Sequence, residues 1–218
     1  MKYKHIVWDW NGTLLDDRWL CVESINRILK KRKMPLTLEK AFKETFCFPV
    51  IKYYETLGFD FIKESFKDLS IEFIEYYKDN FYRLSLHLNT ELILKKIDDS
   101  RIKQSILSAS KQEILEENIK FFNLEKYFNR ILGINNHYAS GKIDAAFQLV
   151  DLIKTRSSDI LLVGDTVHDS EVAEKIDSDC ILIDQGYVNR QRLESTKRKI
   201  FSNVMDVMDH INSKRTFF

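Results

Sequence analysis

From residue 104 onward, short apolar runs alternate with helical patterns, and that rhythm leaves few architectures open to the chain. Strand-like runs fall at residues 104–108, 130–134, 160–164 and 180–184, with a first one at 5–10. Helical stretches at 111–122, 142–154 and 168–176 lie between the later ones. Strands separated by helices of this length predict βαβ units, hence an α/β fold with a doubly wound, mostly parallel sheet. A last short run at 199–201 predicts an edge strand before a terminal helix at 203–212.

The interval between the first two strands breaks the rhythm. Residues 16–86 hold several helical patterns and almost nothing strand-like. One helix is expected at 18–33, with Asp16 or Asp17 as its N-cap. A second is expected at 37–46, capped by Thr37, and a third at 49–57, stopped by Gly58. Residues 61–84 predict one or two longer helices, because Phe66, Leu69, Phe73, Ile74, Tyr77 and Phe81 recur near helical spacing. The block reads as an α-helical cap over the mouth of the sheet. The expected division is a core of residues 1–15 and 87–218, with residues 16–86 as cap. The aromatic residues of the cap read first as its own core.

Composition narrows the class. Hydrophobic residues make up 44% of the chain and charged residues 31%, the balance of a soluble globular protein. The formal net charge is +1, with no strongly basic or acidic half, so neither nucleic acid nor a membrane is expected as partner. The cluster Lys30-Lys31-Arg32-Lys33 closes a helical pattern, where cations suit the helix dipole. Cys21, Cys47 and Cys180 are odd in number and far apart, which argues against a disulfide framework or a zinc site. No apolar leader opens the chain and no stretch is long enough to span a bilayer. The expectation is a soluble, cytoplasmic protein.

Four segments carry chemistry. Asp9 ends the first apolar run, in Val7-Trp8-Asp9-Trp10-Asn11-Gly12-Thr13. A carboxylate at the carboxyl edge of such a sheet faces the ligand crevice, as a nucleophile or a metal ligand. Ser108 ends Ile106-Leu107-Ser108-Ala109-Ser110, where a hydroxyl and free helix-start amides suit a phosphate. Lys142 opens the next helix after Gly141, an ammonium able to neutralise a phosphate and an attacking carboxylate. Asp165 and Asp169, in Gly164-Asp165-Thr166-Val167-His168-Asp169, suit a hard divalent cation such as Mg²⁺. Each alone reads as a cap, a turn or a solvated charge. The ordered set, on separate strand ends, points to phosphoryl chemistry.

This set resembles the haloacid dehalogenase superfamily, largely phosphatases, whose motifs are DxDGT, a terminal Ser/Thr, a Lys and GDxxxD. Here they stand as DWNGT at 9–13, ILSAS at 106–110, GK at 141–142 and GDTVHD at 164–169. The resemblance spans nearly the whole chain and implies a Mg²⁺-dependent hydrolase of a small phosphorylated metabolite, similar in cap placement to phosphoglycolate phosphatases. It implies that Asp9 attacks phosphorus and that Asp9, the Asn11 carbonyl, Asp165 and Asp169 serve the metal. Ser108, Lys142 and the backbone around Gly12, Thr13 and Ala109 would hold the substrate phosphoryl group.

The chain departs from the pattern at Asn11, where the phosphatases carry a second aspartate as general acid and base. A carboxamide cannot donate a proton to a leaving alkoxide. General acid–base catalysis is worth roughly 10²- to 10⁴-fold. Three readings stay open: a slow phosphatase or one restricted to good leaving groups such as acyl or aryl phosphates, one using another acid such as Asp16, Asp17 or His168, and a phospho-ligand-binding protein without catalysis. Relatives with a non-aspartate here include dehalogenases and phosphonate hydrolases, but the GDTVHD acids argue for a metal and so for phosphorus. A receiver domain is disfavoured, because Lys142 precedes those acids.

Overall fold

Strand β1 (His5–Trp8) is buried along its whole length, as a strand covered on both faces must be. The short β2 (Leu15–Asp16) follows the next turn and pairs antiparallel with β3 (Ser85–Leu86). Between them run α1 (Arg18–Lys31), α2 (Glu39–Thr45), α3 (Val50–Thr56) and α4 (Phe66–Asn80). The rest alternates: α5 (Thr90–Asp99), β4 (Lys103–Lys111), α6 (Gln112–Phe121), β5 (Arg130–Ile134), α7 (Ile143–Ile153), β6 (Ile160–Gly164), α8 (Val167–Lys175), β7 (Asp179–Ile183), α9 (Arg190–Glu194), β8 (Lys199–Phe201) and α10 (Asp206–Ser213). These elements come from a computed structural model, which describes residues 2–135 and 141–213.

Six strands form one parallel sheet in the order β5-β4-β1-β6-β7-β8. The expected doubly wound α/β fold is therefore present, with a helical insertion after the first strand. β1 lies in the middle, with Trp8 opposite Ile106 of β4 and Val163 of β6. The chain winds outward from β1 in both directions, so the crevice opens at the carboxyl ends of β1, β4 and β6. Asp9 and Asp165 follow the ends of β1 and β6, whereas Ser108, expected to end its strand, lies inside β4 where the pairing with β5 shifts register between Leu107 and Lys111.

Several local expectations need correction. The second helix starts at Glu39 and Leu38 is its N-cap. Thr37 is held earlier, by reciprocal bonds between its backbone and the Asn26 carboxamide at 2.8 and 2.9 Å. Asp17 stands at the N-cap of α1 but makes no capping bond with its side chain. Residues 61–84 hold one longer helix, in line with the one or two expected: α4 is opened by Ser65 accepting from the Asp68 amide at 3.3 Å and is followed by a 3₁₀ turn at Phe81–Arg83. Helix α5 lies in a segment, 87–103, for which no element was expected. It is held from outside: Trp8 Nε1 donates to Gln104 Oε1 at 3.0 Å, and Gln104 Nε2 donates to the Leu94 carbonyl at 2.9 Å.

His5 on β1 is almost fully buried, with Nε2 2.8 Å from Ser105 Oγ on β4. Burial, helped by the charge of Lys103, lowers its pKa to about 4. An unfolded imidazole takes up a proton near 6.5, so the unfolded chain binds more protons below that pH. Stability should fall as pH drops from about 6.5 through about 4, by up to about 3 kcal/mol. Equilibrium urea unfolding across pH 4–8 should show this acid limb, and His5→Gln should flatten it. An acid limb of equal size in the variant would refute the assignment.

Candidate active site

The backbone after β1 turns sharply enough to bring Asp9 over the sheet edge. Gly12 has φ +78°, and a Cβ there would lie 2.5 Å from Asp165 Oδ2 and 2.7 Å from the Tyr187 ring. Only glycine meets both conditions. At the next strand end, a Cβ on Gly164 would lie 2.1 Å from Asp169 Cγ. The acids are thus packed against backbone from which side chains have been removed.

Asp9, Asp165 and Asp169 converge, each offering a carboxylate oxygen within 4.8 Å of the others. All three are buried. Asp169 also closes a capping box at the start of α8: its Oδ2 accepts from the Thr166 amide at 2.9 Å, while Thr166 Oγ accepts from the Asp169 amide. Its other oxygen, Oδ1, lies 2.7 Å from Lys142 Nζ. The same ammonium contacts Asp9 Oδ1 and donates to the Leu107 carbonyl at 3.0 Å. Lys142 is itself the N-cap residue of α7, and its amide donates to His168 Nε2 at 3.2 Å.

Burial raises the Asp9 pKa to about 6, with Lys142 opposing and Asp169 reinforcing the shift. Burial, then the charges of Asp9 and Asp169, push Asp165 well above the usual carboxylate range. Burial acts upward on Asp169 too, but its ion pair with Lys142 wins and holds it below that range. Burial would depress Lys142, yet Asp169 and Asp9 outweigh it and raise the ammonium. With all three ionised, the buried carboxylates would outnumber the one ammonium paired with them, Lys142, by two charges. That donor set, all hard oxygens around one point, fits a divalent cation such as Mg²⁺.

Gly12 and Thr13, expected on the substrate side, sit against the acids. Thr13 Oγ donates to Asp165 Oδ1 at 2.8 Å and lies 3.2 Å from Asp9 Oδ2. The hydroxyl spaces two carboxylates that would otherwise repel. Ser108, Ala109, Asn11, Lys142 and Asp9 all line the open crevice. Ser108 Oγ is 3.4 Å from Asn11 Oδ1 and accepts from the Ser110 amide at 3.1 Å.

Asn11 is tied down on both sides. Its Nδ2 donates to Asp17 Oδ2 at 2.7 Å, and its Oδ1 accepts from Ser110 Oγ at 2.7 Å. Asp17 Oδ2 also accepts from the hydroxyls of Tyr77 and Tyr187, each at 2.7 Å, and its Oδ1 accepts from the Gly12 amide at 3.0 Å. Burial raises the Asp17 pKa, while the four bonds oppose that rise. From the sequence Asp17 reads as a helix-start residue or a replacement acid, and Tyr77, Ser110 and Tyr187 are given no part in the site. Their signal was weak: Tyr187 follows Gly186, and Asp17 is the second of two aspartates after Leu14 and Leu15.

A divalent cation should bind the folded chain and not the unfolded one. At about a hundredfold over its Kd, Mg²⁺ should add about 2.7 kcal/mol, or roughly 5–10 °C in melting temperature for a chain of this size. Differential scanning fluorimetry in chelator and in Mg²⁺ should show the shift, and Asp165→Asn should remove most of it. No shift in the wild type, or a full shift in the variant, would contradict the metal site.

A family model described as haloacid dehalogenase-like hydrolase matches residues 6–183. A curated relative from Caldanaerobacter subterraneus subsp. tengcongensis, provisionally named the pyrophosphatase PpaX, is 20% identical over 186 residues, covering 78% of this chain and 76% of its own. A haloacid dehalogenase-like family hydrolase from Streptococcus pneumoniae superposes with a TM-score of 0.83 at 19% identity, over 96% of this chain and 99% of that one. A predicted phosphoglycolate phosphatase from Haemophilus somnus gives 0.80 at 19% identity, over 97% and 99%. At such identities the solved structures speak for the fold, and the family match covers most of the chain. The chain belongs to the haloacid dehalogenase-like hydrolases.

Proposed function

We propose that this hydrolase is a Mg²⁺-dependent phosphatase of a small phosphorylated metabolite, working through an aspartyl-phosphate at Asp9. The observation that carries the reading is the Asp9 carboxylate, buried yet open to the crevice and paired with the Lys142 ammonium. Asp9 attacks phosphorus as a carboxylate, and the Lys142 ammonium beside it favours that charged form. Lys142 screens the repulsion between that carboxylate and the incoming phosphate and then holds a transferring oxygen. Ser108 and the amides around Ala109 hold others. Bound by Asp9, the Asn11 carbonyl, Asp165 and Asp169, Mg²⁺ would supply positive charge to the phosphoryl oxygens.

In this reading residues 16–86 form a cap and residues 1–15 with 87–218 the catalytic core. The paired strands β2 and β3 are where the chain leaves and re-enters the core, with Leu15 opposite Leu86. A cap that closes on the crevice excludes water and chooses the leaving group. Asn11 favours a second reading, a protein that binds phospho-ligands with little turnover, because its carboxamide lacks a transferable proton.

Phosphate release from alkyl, aryl and acyl phosphates with Mg²⁺ decides between them. Asp9→Asn replaces the nucleophile by a carboxamide and should lower kcat by roughly a thousandfold or more. Lys142→Met should lower it by roughly 10²-fold. Turnover of none of these substrates by folded protein would leave the binding reading. Wild-type turnover in Asp9→Asn would refute the mechanism.

A further inference from the structure

The crevice beside Asp9 is walled mostly by carbon. The insertion contributes Phe46, Phe48, Val50, Phe73 and Ile74, and α6 contributes Ile114. Its volume is about 150 Å³, the size of apolar cavity that takes up a benzene ring. Several of the polar groups around it are already paired, the buried Tyr53 hydroxyl being an exception. Ser70 Oγ donates to the Phe66 carbonyl at 2.8 Å, and the Tyr77 and Tyr187 hydroxyls both donate to Asp17. A sugar lodged here would shed water from its hydroxyls and find few partners in return.

Charge points the same way. Among the described residues, Asp17 is the one charged side chain that the insertion adds to the lining, and no arginine lines it. Of the two lysines there, Lys142 is engaged by Asp9 and Asp169, and Lys111 is paired with Glu113. A substrate carrying a second carboxylate or phosphate would meet a carboxylate and no fresh cation. The lining favours an uncharged, flat, apolar body.

The leaving group is constrained independently by Asn11, whose carboxamide is bonded on both sides and cannot protonate a departing oxygen. An alkoxide leaves as the base of a very weak acid, with a pKa near that of water, about 16. A phenolate leaves as the base of an acid of pKa about 10. A leaving group of the second kind needs no proton at the moment of bond cleavage.

We propose that the substrate is a phosphate monoester of a single-ring phenol. The inference rests on the phosphatase reading and names the substrate class of that same site. The ring lies in the apolar crevice and the phosphoryl group points at Asp9 and Lys142. The Asp9 oxygen forms its bond to phosphorus as the bond from phosphorus to the aryl oxygen breaks, and the electron pair departs with the phenolate. Water then attacks phosphorus, the bond to Asp9 breaks, and free carboxylate and inorganic phosphate result. The phenolate takes up the proton that this hydrolysis releases.

The test compares phenyl phosphate, butyl phosphate, glycerol 3-phosphate and acetyl phosphate on the Mg²⁺-loaded full chain. Phenyl phosphate should exceed butyl phosphate in kcat/KM by about a hundredfold or more, the range general acid catalysis would otherwise supply. Asn11→Asp should raise butyl phosphate turnover by at least tenfold more than phenyl phosphate turnover. Calorimetry with the non-hydrolysable phenylphosphonate and methylphosphonate should show the phenyl compound binding at least tenfold tighter. Turnover of acetyl phosphate with aryl and alkyl esters equal, or with alkyl preferred, overturns this inference and leaves the phosphatase standing. Equal binding of the two phosphonates overturns it as well. Turnover of none of the four defeats the phosphatase reading and this one with it.

Discussion

Three buried carboxylates, their oxygens within 4.8 Å of one another and two of them paired with the Lys142 ammonium, form the constraint around which this molecule is arranged. Like charges in a buried, low-dielectric place repel strongly, and the chain tolerates them only because other features hold them together. Central parallel strands deliver Asp9 and Asp165 to adjacent positions. Gly12 and Gly164 remove the side chains that would keep backbone and acid apart. Thr13 and the capping box at Thr166 give the oxygens donors. Crowding buried carboxylates is unfavourable for folding, and it is the feature that suits the site to a cation.

The second organising feature is Asp17. It joins the loop after β1 to the insertion through Tyr77 on α4 and to the core through Tyr187 beyond β7. Asn11 is thereby fixed by a side chain that itself depends on where α4 sits. A shift of the insertion would be felt at the residue next but one to Asp9. The acid missing from position 11 has a counterpart six residues on, placed so that it orients the carboxamide.

The strand ends were legible because their signals are local. An apolar run closed by Asp-x-Asn-Gly or Gly-Asp can be read without knowing what packs on it. The edge strand at Lys199–Phe201 and the fifth strand at Arg130–Ile134 were legible for the same reason. Helix α5 was not. It carries a short apolar stripe, with Ile93, Leu94 and Ile97 buried, and it is held through Gln104 and Trp8, which are remote in sequence. Thr37 looked like a cap until Asn26 was seen to hold its backbone. The strands β2 and β3 are two residues each and exist only through pairing across the whole insertion.

The order of residues alone determined the α/β alternation, the helical insertion and the four segments that meet at the crevice, because these depend on periodicity and on short runs. The tertiary structure alone decided that Asp17 turns inward, that Thr13 and Gly12 face the acids, and that the crevice wall is aromatic and, among the described residues, free of arginine. Those outcomes depend on which distant side chains arrive at the same place. Asp17 stands at an N-cap position yet spends its carboxylate on Asn11, Tyr77 and Tyr187, which arrive from elsewhere in the fold.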